Sequence, residues 1–195
     1  MYQGIEINNQ KKNMDFLGGQ SIIKVMFVKN DYHRGGLMDL YDALMLLENY
    51  QFDLHVVGPI NLYLNIFPSS RNVNCIIHGS IPNTKVLELM QECDMFCLPT
   101  KEEPLGVAIM EALATGLPTI TTGVGGLPEV TNYGKLIWEC IPGNKKSIAE
   151  QIENCINSPD ERKEKSYAGV KFIRDNFDFN KVLHRLEDII KSSET

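Results

Sequence analysis

From residue 21 onward, short apolar runs alternate with stretches of helical period. Ile22 to Val28, Leu54 to Val57, Val73 to Ile77, Met95 to Leu98 and Thr119 to Thr121 read as strands, with a sixth over Leu136 to Trp138. Leu37 to Glu48 reads as a helix with Leu37, Leu40, Tyr41, Leu44 and Leu47 on one face. Asn83 to Gln91 is a second helix, with Val86, Leu87 and Met90 inward, and Val107 to Thr115 a third, stopped by Gly116. Beyond Pro142-Gly143-Asn144 the pattern is helical over Ser147 to Asn157, Asp160 to Asn176 and Asn180 to Lys191. Strands this short and apolar, alternating with helices, predict an α/β fold: a three-layer, Rossmann-like, doubly wound parallel sheet. Residues 1–20 are rich in Asn, Gln and Lys and read as a tail or linker, leaving 21–191 as one domain.

A parallel sheet of this kind binds ligands beyond the carboxyl ends of its strands. The turn signals at those ends are Asn30, Gly58, Gly79, Pro99 and Gly123, so the expected site runs along their loops. The richest is Pro99-Thr-Lys-Glu-Glu-Pro-Leu-Gly-Val-Ala-Ile-Met-Glu111. It carries Glu103 on a loop, Gly106 where a helix begins, and Glu111 about one turn inside that helix. The first amides of a helix lack intrahelical partners and favour an anion. Apolar Ile109, Met110, Ala112 and Leu113 surround Glu111, where an unpaired charge is costly. Two carboxylates flanking an anion site suit a ligand with hydroxyls at both ends and a phosphate between. As spacing alone, the two glutamates equally fit solvated surface carboxylates.

Two further loops carry chemistry. Lys29-Asn-Asp-Tyr-His-Arg-Gly-Gly36 sets Lys29, His33 and Arg34 beside a glycine turn, and Lys29 and Arg34 are natural neutralisers of a diphosphate. A solvated basic loop explains the same residues. Thr121-Thr-Gly-Val-Gly-Gly-Leu-Pro-Glu129 is either a phosphate cradle or a plain tight turn. It lacks the third glycine of a dinucleotide fingerprint. Glu129 reads as a loop brace or, more simply, a surface group. Thr100 offers a hydroxyl to a ligand or to nearby backbone.

Composition narrows the field. A net charge of −6 without a basic patch speaks against a nucleic-acid partner. No run approaches the ~18 apolar residues of a transmembrane segment, and residues 1–20 have no signal-peptide core. The five cysteines form no C-x-x-C and make a poor disulfide framework, so reduced, mostly buried thiols in a cytoplasmic protein are expected. His33, His55, His78 and His184 have no metal-ligand spacing, and no D-x-D pair, P-loop or G-x-S-x-G occurs. No metal and no cofactor are expected.

The chain resembles the C-terminal domain of glycosyltransferase group 1, the retaining family 4 of GT-B enzymes, over Ser21 to Ile190. The resemblance is carried by Leu98 to Thr122 followed by Gly125-Gly-Leu-Pro-Glu129. Tyr2-Gln-Gly-Ile-Glu6 also looks like the segment in which that family crosses between its two domains. The resemblance implies one half of a GT-B fold that binds a nucleotide-diphosphate sugar donor and, with an N-terminal acceptor domain, transfers its glycosyl group to a hydroxyl. It implies that Glu103 contacts donor-sugar hydroxyls and Glu111 the ribose hydroxyls. Leu105, Gly106 and Val107 would lend amides to diphosphate and sugar, and Gly79 to Ile81 would read the nucleobase. Two departures stand out. The family usually has Gly-Arg after the first strand and a Lys about five residues on; without a gap those positions are Lys29, Asn30 and Gly35, so Lys29 and Arg34 each sit one place early. Only about twenty residues precede the first strand, so the acceptor domain is expected from elsewhere, as a longer parent chain or a separate subunit, and the isolated domain is expected to be inactive. The alternatives are a non-catalytic interaction or regulatory module and, less well supported, a dinucleotide or flavodoxin-like binder.

Overall fold

The structure, a computed structural model, describes residues 22–59 and 67–177. The expected helix over 180–191 and the tail at 1–20 lie outside the described residues. Six strands form one sheet: β1 (Ile22–Val28), β2 (Gln51–Val57), β3 (Val73–Gly79), β4 (Met95–Leu98), β5 (Thr119–Thr121) and β6 (Trp138–Glu139). Their order is β3-β2-β1-β4-β5-β6 and every pairing is parallel. Seven helices accompany them among the described residues: α1 (Tyr32–Gly35), α2 (Leu37–Leu46), α3 (Asn83–Glu92), α4 (Val107–Ala114), α5 (Leu127–Val130), α6 (Lys145–Asn157) and α7 (Pro159–Asn176). The doubly wound α/β sheet expected from the apolar pattern is therefore observed.

The central strands explain the arrangement. Met95, Phe96, Cys97 and Leu98 of β4 are all buried, as a strand covered on both faces must be. Val25, Met26 and Phe27 of β1 are buried beside them. The helices pack as α2 on α6 and α4 on α7. Gly169 of α7 lets that helix approach α4, since a Cβ there would lie 3.2 Å from Leu113 Cδ2.

Element boundaries moved where polar groups decide them. β2 begins at Gln51, three residues before the apolar run, because its backbone already pairs there with Ile22 of β1 and the Phe52 amide donates to the Asn72 carbonyl. β6 starts only at Trp138: three-residue β5 pairs with it through Ile120 and Thr121 alone. α6 starts at Lys145 because Asn144 Oδ1 accepts from the Lys146 and Ser147 amides, an N-cap. α7 starts at Pro159, a residue suited to the first helical turn. α1 lies within the stretch read as a basic loop, and Asp31 caps it by accepting from the Arg34 amide.

Cys93, Cys97, Cys140 and Cys155 are buried, and Cys75 is half-buried. Burial pushes Cys140 and Cys155 up to about 12, so these are inert packing groups. Among the described residues, no helix is long and apolar enough to cross a membrane.

Candidate functional site

Strand order reverses between β1 and β4, and ligands of such sheets sit where it does. A cleft of about 440 Å³ opens there. The β1 loop supplies Lys29, Asn30, Asp31 and Arg34, the β4 loop Lys101 to Pro104, and the β5 loop Val124 and Gly125.

Close backbone contacts hold the three loops. Gly36 has φ +74°, and a Cβ on it would lie 2.5 Å from the Pro99 carbonyl oxygen. Gly125 has φ +60°, and its Cβ would lie 2.1 Å from the Glu103 carbonyl oxygen. That oxygen accepts from the Gly126 amide at 3.0 Å, and a Cβ on Gly126 would lie 2.3 Å from the Pro104 oxygen. Only glycine admits such approaches. The second glycine loop thus seats the Glu103 loop by direct backbone contact. Glu129 is exposed on α5.

Of its two readings, Thr100 here takes the backbone one. It is wholly buried, and its hydroxyl is within hydrogen-bond distance of the Arg34 and Glu102 carbonyls at 3.1 and 2.8 Å. That hydroxyl ties the β1 loop to the β4 loop, aided by the Lys101 amide on the Arg34 carbonyl.

Glu103 is at the centre. Its Oε2 lies 2.5 Å from Lys29 Nζ, and its Oε1 accepts from the Gly106 amide at 2.9 Å. Burial alone would raise its pKa. The Lys29 hydrogen bond and the Gly106 amide outweigh that and hold the carboxyl below its ordinary value. Lys29 reaches Glu103 by crossing Gly35: a Cβ on Gly35 would lie 2.9 Å from Lys29 Cγ and 2.7 Å from Phe27 Cζ. Lys29 thus occupies the space that a side chain at 35 would need.

Arg34 does not converge with them. It is 61% exposed and pairs with Asp31 at 3.4 Å and Glu102 at 3.5 Å. Pairs this exposed are worth little and are easily exchanged. Lys101 turns to Asp39 of α2 at 2.8 Å.

Glu111 forms a second polar centre. It is 5% exposed, and burial raises its pKa to about 7. Its Oε1 accepts from Asn83 Nδ2 at 2.7 Å. Asn83 opens α3, just beyond the Gly79 to Ile81 loop. Gly79 has φ +71°, and its carbonyl accepts from the Gly58 amide. Ile81 is half-buried against the core, Leu105 is exposed, and Val107 begins α4. His78 is taken up by His55: their rings stack with His55 Nδ1 3.0 Å from His78 Nε2, and burial lowers both pKa values.

Sequence reasoning missed Asn83 as a site residue and the pairing of Lys29 with Glu103. Neither leaves a local signal, since partners 28 and 74 residues apart share no helix period. Among the described residues, no group of three or more His, Cys, Asp or Glu is arranged to hold a metal ion.

The sequence matches the family described as glycosyl transferases group 1 over residues 10–172. Glycogen synthase from Mycobacterium tuberculosis is 28% identical over 104 residues, 53% of this chain and 25% of that protein. A glycosyltransferase from Rickettsia africae superposes with a TM-score of 0.77 at 22% identity, over 89% of this chain and 48% of its own. HepE from Anabaena, solved with UDP-glucose, gives 0.73 at 18% identity, over 88% and 49%. The chain thus spans a quarter of that curated relative and about half of these structures. It belongs to the glycosyl transferases group 1 family, and its fold is that of the C-terminal, donor-binding half of a GT-B glycosyltransferase.

Proposed function

We propose that this domain holds the nucleotide-diphosphate sugar donor of a retaining glycosyltransferase, which passes the glycosyl group to a hydroxyl acceptor bound by a partner domain. The observation that carries the reading is the convergence of Lys29, Glu103 and the α4 N-terminus at the switch point. The Lys29 ammonium and the Gly106 amide now meet a carboxylate, so they already form an anion site. A donor diphosphate would share them, and Arg34 could swing in from its exposed pairs at low cost. Those groups would then stabilise charge on the departing diphosphate. Glu103, kept ionised, would orient the sugar by accepting from its hydroxyls. Glu111 would hold the ribose. Lys29 would supply, from one place early, the cation the family usually carries at the position of Asn30.

Calorimetric titration of the chain with UDP-, GDP- and ADP-sugars, with and without EDTA, tests the reading. Binding of one of them, weakened at least tenfold by Lys29→Met, is expected. No heat from any donor at millimolar concentration would sink it.

A further inference from the structure

We propose that Asn83 is a positioning residue for the ribose of the donor, its amide holding Glu111 by one carboxylate oxygen and leaving the other for the sugar diol. This rests on the donor-binding reading above. The contact joins two elements distant in sequence. Asn83 is the first residue of α3 and Glu111 lies in the second turn of α4, with Nδ2 and Oε1 2.7 Å apart. It is the one side-chain hydrogen bond Glu111 makes among the described residues. The Asn83 side chain is spent on no helix cap, and α3 has Pro82 ahead of it without a side-chain cap bond. Its use is therefore the carboxylate.

A glutamate carboxyl turns broadly about its last torsion. Left free, it would have to be ordered by the ligand, at a cost to affinity. Anchoring Oε1 removes that cost and directs Oε2. An amide donor also favours the ionised carboxylate, which opposes the burial that raises Glu111. An ionised carboxylate accepts from both hydroxyls of a vicinal diol; a 2′-deoxyribose offers only one. Asn83 therefore sets the preference for ribose over deoxyribose. The same short segment, Gly79 to Asn83, then meets the base and fixes the group that meets the ribose.

Two measurements on the 195-residue chain test this. The first is a carbon-13 titration of glutamate carboxyls in the wild type, Asn83→Ala and Asn83→Asp, with Glu111→Gln to assign the signal. The Glu111 midpoint is expected to rise in N83A and further in N83D, where a second carboxylate faces it. An unchanged midpoint in both variants overturns the proposed hold on Glu111. The second is calorimetry with ADP, GDP and UDP and their 2′-deoxy counterparts. N83A is expected to weaken the ribonucleotide about tenfold, the scale of one hydrogen bond to a charged group, and to leave the deoxynucleotide within twofold. Equal losses for both sugars would make Asn83 merely structural and overturn the ribose role. No binding of any nucleotide by the wild type overturns the donor reading and the ribose role with it, while the titration still decides the Asn83–Glu111 link.

Discussion

Replacing Lys29 by methionine keeps the aliphatic stem that crosses Gly35 and removes only the ammonium. Glu103 then stays 12% exposed with its cation gone and only backbone amides, those of Gly106 and Leu105, holding its carboxylate among the described residues. Lys29 is 19% exposed, so the pair stands between a surface pair, worth about 0–1 kcal/mol, and a buried one, whose breaking costs about 3–5 kcal/mol. A loss of about 2 kcal/mol at pH 7 follows. Glu103 has a depressed pKa in the folded protein, so the pair's stabilisation is present above the ordinary carboxylate value and is lost as pH falls through the folded value. The penalty of K29M should therefore shrink as pH falls below the ordinary carboxylate range. Urea unfolding of both proteins at pH 7, 5 and 3 measures this, and K29M/E103Q should recover most of the loss at pH 7. A penalty that is absent at pH 7, or that stays constant down to pH 3, would refute the reasoning.

Glu111 should behave with the opposite sign. Its folded pKa is raised, to about 7, so the stability tied to its proton is fully present below its ordinary value and lost as pH rises through 7. Glu111→Gln is thus expected to gain on the wild type between pH 5 and 8, by at most about 3 kcal/mol, read from unfolding curves at both values. No relative gain would mean the carboxyl ionises as if exposed. Gly125→Ala should cost more than Gly143→Ala. Both residues have positive φ, for which alanine costs about 1–2 kcal/mol, but at 143 the added Cβ meets Lys101 Cε at an ordinary 3.7 Å, against 2.1 Å from backbone oxygen at 125. Equal losses in thermal unfolding would remove the argument that the β5 loop seats Glu103.

Much of this fold was legible because β4, and β1 from Val25 to Phe27, are buried and leave continuous apolar runs. Helices α2 and α4 were legible from their period and from Gly116. What escaped depends on polar groups acting locally. α1 has four residues and no apolar period, so only the Asp31 cap marks it. The paired glutamates stood out because a strand end, a glycine and a helix fall in order around them. Their partners did not, since Lys29 and Asn83 arrive through tertiary folding. Thr100 stayed open between ligand and backbone because a loop hydroxyl looks alike in sequence whether it faces solvent or neighbouring carbonyls. The basic loop was read one residue out of step with its family; the side-chain path over Gly35 shows how a cation from position 29 still reaches the centre.

The Glu103 segment is gripped by main chain on two sides, at Pro99 by Gly36 and at Glu103 and Pro104 by Gly125 and Gly126. Main-chain contacts are indifferent to the side chains that project past them. Asn30, Glu102 and Leu105 therefore form an exchangeable set around a fixed frame. Randomising those three while leaving the glycines untouched is, under the proposed function, the natural route to altered donor preference, because such a library varies the rim of the cleft without moving what holds it open.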